Sequence, residues 1–168
     1  KAIGDAHLRV VSPTGKPGHL AMTSSALGGA VLTAHFAAIG GVRRLAVVNG
    51  AGHTQLRRVS ATGIVNTSSG DGIEVHFRPE ASHAGTADEI ATAVQEGHVV
   101  MTQLPVKKPG DASAPQEERA SAARAVYDGP TQKLTLTGGV QLAQGGDTLW
   151  ADRIAVDQRT NDADADGG

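Results

Sequence analysis

The stretch AVYDGPTQKLTLTGGVQLAQGGDTLWADRIAVD, residues 125–157, alternates apolar and polar side chains in short runs that break at pairs of glycine. Successive side chains of a β-strand point to opposite faces, so this period of two predicts strands with one buried face and one solvent-exposed face. The stretch therefore predicts consecutive half-buried strands joined by short turns. The apolar residues of its central run share one parity: Leu134, Leu136, Val140 and Leu142.

The same alternation recurs in residues 7–10, 32–36 and 72–78. Two other segments, residues 88–96 and 117–126, are rich in good helix formers, and their composition alone leaves helix and strand equally open. We predict strands for both segments because they occupy strand positions in a loose internal repeat.

The repeat has two recurring pieces. One is an apolar–x–Ala/Val–x–aromatic run at residues 32–36, 73–77 and 123–127. The other is a glycine followed by a short alternating strand, and such self-similarity is typical of stacked units that bury their cores against one another. These glycines are Gly4, Gly52, Gly97 and Gly139.

Clusters of Gly, Pro, Asp and Ser predict turns, because these residues adopt positive φ or tight reversals at low cost. The clusters are residues 12–18 (SPTGKPG), 40–41 (GG), 68–72 (SSGDG), 128–130 (DGP) and 144–147 (QGGD). After the last of these clusters, the parity of the apolar residues slips by one near Asp152-Arg153, which predicts a β-bulge. Turns at such intervals favour an all-β fold.

The composition excludes several classes of protein. A formal net charge of −2, from 15 basic and 17 acidic residues, argues against a nucleic-acid binder, which needs a basic face. The absence of cysteine excludes disulfides and thiolate chemistry, and no apolar run approaches the roughly 18 residues of a membrane-spanning helix. With 2% aromatic residues, the apolar content is mostly Ala, Val and Leu, which suits a thin sandwich or a folded sheet.

The length of 168 residues suits one domain with a buried core. We expect a single domain over residues 1–160, built of repeats, with a flexible insertion at residues 105–118 and a flexible acidic tail at residues 161–168. The insertion contains three prolines and five charged residues and shows no apolar period. Because the chain has no initiator methionine and no signal or anchor segment, we expect a mature or excised piece of a longer protein.

Residues that could carry enzyme chemistry are present but scattered. No two of the seven histidines are closer than seven residues, so we expect no metal site. A glycosidase pair could be drawn from Asp71, Glu74, Asp147 and Asp152, but Asp71 and Asp147 lie in predicted turns, where Asp is common. The serine-rich segments contain no G-x-S-x-G motif. We therefore expect no enzyme activity and no cofactor.

Three runs in the last third of the chain carry a more specific signature: residues 123–129 (ARAVYDG), 134–142 (LTLTGGVQL) and 145–152 (GGDTLWAD). They resemble the OstA-like proteins of lipopolysaccharide transport, the family of the LptA and LptC type. The resemblance implies an antiparallel β-jellyroll shaped like a folded taco, with two facing sheets, that stacks head to tail with similar domains. It also implies a periplasmic location and an apolar trough that shields lipopolysaccharide acyl chains during transport to the outer membrane.

The resemblance and the strand parity together predict the residues that line this trough. The expected partners are lipopolysaccharide or lipid A acyl chains and other OstA-like domains, including further copies of this chain, and no nucleic acid. One alternative is a closed β-solenoid or sandwich that serves envelope assembly without binding lipid; another is a polysaccharide-acting β-helix enzyme. The predicted trough residues are Leu32, Phe36, Ile73, Val75, Phe77, Met101, Leu134, Leu136, Val140, Leu142 and Leu149.

Overall fold

The computed structural model of the chain describes residues 2–3, 6–11, 19–25, 31–39, 42–59, 64–78, 90–104, 116–160 and 162–167. Every regular element in these ranges is a β-strand. The strands are β1 (Ala2–Ile3), β2 (Ala6–Val11), β3 (His19–Ser25), β4 (Val31–Ile39), β5 (Val42–Val59), β6 (Val65–Phe77), β7 (Ile90–Leu104), β8 (Glu118–Asp128), β9 (Lys133–Gln144), β10 (Asp147–Asp157) and β11 (Asp162–Asp166).

Several predictions of local structure are confirmed. Residues 90–96 of one segment with helix-forming composition lie in β7 and residues 118–126 of the other lie in β8, so their position in the sheet overrides their residue propensities. Residues 129–132 and 145–146 connect consecutive strands, as their glycines predicted. The register of β9 and β10 shifts between Ala151 and Arg153, where the slip in parity predicted a bulge.

The eleven strands form one antiparallel sheet. From β4 to β11 each strand pairs with the next strand along the chain, so this part of the sheet is a simple meander. The long strand β5 is shared by two neighbours on the same side: its first part, Val42–Ala51, pairs with β4, and its last part, His53–Val59, pairs with β3. Strands β1 and β2 extend the sheet beyond β4 and β3.

A line of register shifts crosses six of these strands, and we call this line the crease. Because each shift is linked by hydrogen-bonded pairs to the shift on the next strand, the sheet bends along one continuous line. On β9 the crease passes through Gly138 and Gly139. On the other strands it lies between Ala51 and Thr54, Ser69 and Gly72, Glu96 and Val99, Ser121 and Arg124, and Ala151 and Arg153.

The crease explains where glycine occurs within the strands. Gly52, Gly97, Gly138 and Gly139 have φ values of 98°, 73°, 84° and 63°, a region that side chains with a Cβ enter at a cost. These glycines therefore let a strand bend and continue, rather than starting a new one. The prediction that Gly52, Gly97 and Gly139 each precede a short strand was wrong in this respect, because β5, β7 and β9 run through them.

The predicted turn at residues 68–72 was also wrong. The sequence SSGDG lies inside β6, where it forms the crease instead of a reversal. The same residue types serve both purposes, because a bulge and a turn both need backbone conformations that Gly and Asp tolerate.

The crease divides the sheet into two halves that face each other. Half A contains the strand segments on the side of the 145–146 turn, and half B contains those on the side of the 129–132 turn. Val140 in half A belongs to the same buried cluster as Leu136 and Ile154 in half B, so the two halves pack together. The all-β antiparallel jellyroll is confirmed, with the detail that the two facing sheets are halves of one hydrogen-bonded sheet.

Two predicted segments flank the last strands. Residues 105–115 of the expected insertion lie outside the described residues, and Glu118, its last residue, begins β8. In the expected tail, Asp162–Asp166 form β11, which pairs with Arg153–Asp157 of β10. The predicted turns at residues 12–18 and 40–41 also fall on residues outside the described part.

Replacing Gly97 with alanine tests the crease. A Cβ at Gly97 would lie 2.8 Å from Cβ and Cγ of Asp71, in addition to the cost of the positive φ. We expect Gly97→Ala to lower the free energy of unfolding by roughly 2 to 4 kcal/mol, measured by urea denaturation. Gly139→Ala is the matched control, because its φ is 63° but no atom lies within 4 Å of the added Cβ. It should cost only about 1 to 2 kcal/mol, and equal losses at both sites would contradict this account of Gly97.

Candidate functional site

The register of the sheet determines which side chains share the interior. Residues paired directly across antiparallel strands point to the same face, so each chain of pairs gives a row of side chains. Half B contributes two such rows, and half A contributes one. They are Leu32–Gly50–Ile73–Gln95–Ala125–Leu136–Ile154, Ala34–Val48–Val75–Ala93–Tyr127–Leu134–Val156, and Leu56–Ser68–Met101–Ala120–Leu142–Leu149.

The interior contains two separate apolar clusters. The first cluster lies under β4 to β7 and is filled by large side chains that are between 0% and 7% exposed. Half-buried residues that include Leu56 and Tyr127 pack against it. These aliphatic and aromatic side chains form a hydrophobic core. The first cluster consists of Leu32, Val48, Ile73, Val75, Phe77 and Ile90.

The second cluster lies under β7 to β10 and differs in the size of its side chains. Half of its eight buried residues are alanines: Ala120, Ala122, Ala125 and Ala151. The others are Val99, Leu136, Val140 and Ile154. Around them, Met101, Leu134, Leu142 and Val156 are only half-buried. In the second cluster, small side chains thus make up half of the buried residues, and larger apolar side chains surround them in half-buried positions.

The structure places the predicted trough residues in both clusters and at the margins. Six of them are buried: Leu32, Ile73, Val75, Phe77, Leu136 and Val140. Three are half-buried: Met101, Leu134 and Leu142. The remaining two, Phe36 and Leu149, are 58% and 46% exposed. The predicted set is thus not one continuous lining.

Phe36 and Leu149 are exposed because each lies near a margin of the sheet. Phe36 has the parity of Leu32 but follows a register shift between His35 and Phe36 on β4. Leu149 pairs with Leu142 and shares its face. However, β11 covers only the Arg153–Asp157 part of β10, so Leu149 lies on the half of β10 that β11 leaves uncovered.

Three buried polar residues lie on the middle strands β5, β6 and β7, and we call them the polar set: Thr54, Ser68 and Gln95. They are 0%, 7% and 4% exposed. The Ser68 hydroxyl donates to Oε1 of Gln95, and Nε2 of Gln95 donates to Oγ1 of Thr54 over 3.4 Å. The Thr54 hydroxyl donates to the carbonyl oxygen of Gly70 at 2.9 Å. Because Gln95 belongs to half B and the other two to half A, these hydrogen bonds join the halves across the crease.

Sequence reasoning missed the polar set and the alanines of the second cluster. A signal for the alanines exists, since Ala120 and Ala122 share one parity and Ala125 takes the other after the crease. No comparable signal marks Gln95, because glutamine in a strand is usually a solvent-facing residue.

The outward face carries exposed ion pairs and no catalytic arrangement among the described residues. Nδ1 of His98 lies 2.8 Å from Oδ2 of Asp71, and Nε2 of His76 lies 2.6 Å from Oε1 of Glu74. Each pair is largely in solvent, where such contacts contribute little to stability. Within the described ranges no group of three or more His, Cys, Asp or Glu residues is placed to hold a metal ion.

One carboxyl group has a perturbed pKa, and its cause is a turn. The backbone N–H of Arg159 donates to Oδ1 of Asp157 at 2.9 Å and holds the pKa of this carboxyl below its usual value. The backbone N–H of Thr160 reaches the same oxygen at 3.4 Å. Asp157 therefore shapes the connection between β10 and β11.

The described strands form a folded antiparallel sheet with an apolar interior and polar outer faces. In a comparison with protein families, the family of transport domains described as "LptA/(LptD N-terminal domain) LPS transport protein" matches residues 70–162, more than half of the chain. The chain belongs to this family, whose members act in lipopolysaccharide transport in the cell envelope. A comparison with curated proteins found no match. Among the described residues, no helix is long and apolar enough to cross a membrane.

Truncating one side chain in the second cluster tests its burial. Leu136 is 2% exposed, and we expect Leu136→Ala to lower the free energy of unfolding by roughly 2 to 5 kcal/mol. Leu149→Ala is the control, because Leu149 is 46% exposed and should lose less than about 1 kcal/mol. Chemical denaturation followed by circular dichroism measures both, and a small loss at Leu136 would mean that the halves do not pack there.

Proposed function

We propose that this chain is a periplasmic lipid-binding scaffold. It shields the acyl chains of lipopolysaccharide in an apolar trough between the two halves of its sheet while the lipid moves to the outer membrane. This task needs no catalytic group, because binding consists of excluding water from the acyl chains.

The observation that carries the proposal is the make-up of the second cluster. Four buried alanines occupy little of the space between facing sheets, which stand about 10 Å apart when larger side chains fill them. The half-buried Leu134 and Leu142 and the exposed Leu149 continue the same apolar face towards solvent. An acyl chain placed there contacts apolar atoms along its length and meets no buried charge.

The energetics suit a ligand with long alkyl chains. Each methylene removed from water contributes about 0.8 kcal/mol, so one acyl chain gains several kcal/mol without a polar anchor. The face opposite Leu149 on β10 carries Trp150, which is 64% exposed and pairs with Gln141. Leu149 and Trp150 therefore point to opposite faces of β10, Leu149 towards the proposed lipid and Trp150 towards the outer side.

The alternative is a closed structural module for envelope assembly that binds no lipid. The first cluster favours this alternative locally, because large aliphatic and aromatic side chains make up all of its buried residues, whereas half of those in the second cluster are alanines. We therefore assign lipid binding to the second cluster, and the experiments on Leu149 decide between the two functions.

We also propose that the domain stacks head to tail with related domains or with a second copy of itself. Residues 1–60 contain seven Lys or Arg and one acidic residue, whereas residues 61–168 contain eight basic and sixteen acidic residues. Within the described strands, β1 to β5 carry five arginines and no acidic residue, whereas β10 and β11, at the opposite edge of the sheet, carry six aspartates and one arginine. The edges of two copies are complementary in charge, which favours their pairing in one orientation.

Substituting the two neighbouring residues of β10 tests the trough. A photoreactive amino acid at Leu134 reports contact with purified lipopolysaccharide. In this background, Leu149→Asp should lower the crosslinking yield about tenfold, because a carboxylate on the lipid-facing side must lose its water. Trp150→Asp is the matched control and should change the yield by less than about twofold, since its side chain lies on the opposite face.

Both variants are expected to fold, because both side chains are exposed in the free protein. Circular dichroism checks this before crosslinking. Equal yields in the two variants and the parent protein would contradict lipid binding at the second cluster and would favour the closed structural module.

Salt dependence tests the stacking. We expect self-association, followed by sedimentation, to weaken when the ionic strength rises from about 0.05 M to about 0.5 M, because salt screens charges on opposing edges. Replacing Asp162, Asp164 and Asp166 of β11 with Asn should weaken it at low salt. Replacing Asp71, Glu74 and Glu96 with their amides removes the same charge from the middle strands and should have little effect. Association that is indifferent to both triple variants would refute the electrostatic pairing.

A further inference from the structure

The polar set is unusual because its three polar side chains are buried in an interior that is otherwise apolar. In the row that runs from Leu32 to Ile154, Gln95 is the one residue with a polar side chain, and it is 4% exposed. A carboxamide in an apolar interior is costly unless its hydrogen bonds are made, and here Ser68 and Thr54 make them.

The backbone is adapted to hold Gln95 in this place. A Cβ on Gly70 would lie 2.9 Å from Cγ of Gln95, so the absence of a side chain at Gly70 makes room for Gln95. The carbonyl oxygen of Gly70, on the crease, accepts the Thr54 hydroxyl. The polar set is therefore built into the bend of the sheet, and its hydrogen bonds hold the two halves together in the middle strands.

The polar set also separates the two clusters. In the row from Leu32 to Ile154, Gln95 lies between Ile73 of the first cluster and Ala125 of the second. In the row from Leu56 to Leu149, Ser68 lies between Leu56, which packs against the first cluster, and Met101, which packs against the second. An alkyl chain that crossed this place would part the Ser68–Gln95 and Gln95–Thr54 hydrogen bonds and offer no replacement. Buried groups left without partners oppose such binding strongly.

We infer that Gln95, held by Ser68 and Thr54, determines where ligand binds in this interior: it confines acyl chains to the second cluster and excludes them from the first. The inference rests on the lipid-binding function proposed above and adds a boundary to it. Gln95 acts as a positioning residue for this boundary, through the hydrogen bonds that keep the halves closed over the middle strands.

Two matched reporters test the boundary. Leu56 and Leu134 are both half-buried leucines, packed against the first and the second cluster respectively. A photoreactive amino acid is placed at one or the other, and purified lipopolysaccharide is the probe. In the otherwise unchanged protein, the yield at Leu134 should exceed the yield at Leu56 by about tenfold, the effect of one unmet buried hydrogen bond.

The decisive variant is Gln95→Leu combined with Ser68→Ala, which removes both partners of a hydrogen bond and leaves neither unmet. We expect the ratio of yields to fall to within about twofold, because an alkyl chain can then cross into the first cluster. The single variant Gln95→Leu, which keeps Ser68 but removes its hydrogen-bond acceptor, is a second test of the ratio of yields. Gln103→Leu, on the same strand but outside the polar set, is the control and should leave the ratio unchanged.

The outcomes separate the inference from the function on which it rests. Equal crosslinking at Leu56 and Leu134 in the unchanged protein, or a ratio that Gln95→Leu/Ser68→Ala does not alter, overturns the boundary and leaves lipid binding standing. Crosslinking at neither position overturns the lipid-binding function itself. Thermal unfolding of each variant shows that a changed ratio comes from a folded protein.

Discussion

The bend that every long strand makes at the same register is the constraint on which the rest of the structure depends. A strand of 13 to 18 residues, as β5 to β7 are, would otherwise lie in an open sheet with both faces in water. Bending at the crease turns one sheet into two facing halves and creates an interior from side chains of a single parity. The bend needs positive φ on several strands, and Gly52, Gly97, Gly138 and Gly139 supply it.

The bend also decides where polar groups can be buried. A register shift interrupts the ladder of backbone hydrogen bonds, so a carbonyl such as that of Gly70 needs another donor. Thr54 is that donor, and through it Gln95 and Ser68 acquire partners in an otherwise apolar space. Farther along, the crease passes Gly138 and Ala151, and the residues around it are small and apolar. The crease therefore accounts both for the buried polar set in the middle strands and for the alanine-rich second cluster beside it.

Much of the fold could be predicted from the sequence, because a period of two is a strong signal in a sheet with one dry face. Strand positions, the bulge near Asp152 and the family resemblance of the last third were all predicted, and residues 90–96 were assigned correctly against their helix-forming composition. Internal glycines were harder to interpret. A glycine that bends a strand and a glycine that ends one need the same backbone freedom, so SSGDG was taken for a turn.

The interior was predicted less completely than the strands. Parity selected residues that face inward, such as Val75 and Leu136, but it carries no information on how far each lies from the margin of the sheet. Phe36 and Leu149 therefore share the predicted parity and are nevertheless exposed. The partners of Gln95 lie 27 and 41 residues away along the chain, and such distant pairs leave no trace in a local pattern.

The meander order has a consequence for how such a domain varies in length. From β6 to β10 each strand pairs only with its neighbours along the chain, and each crosses the crease once. Removing or adding one hairpin leaves the direction of the flanking strands and their registers unchanged. The interior then becomes longer or shorter, along the crease, by the width of one hairpin. Length is thus a modular property of this architecture, adjustable without redesign of the residues that make it bend.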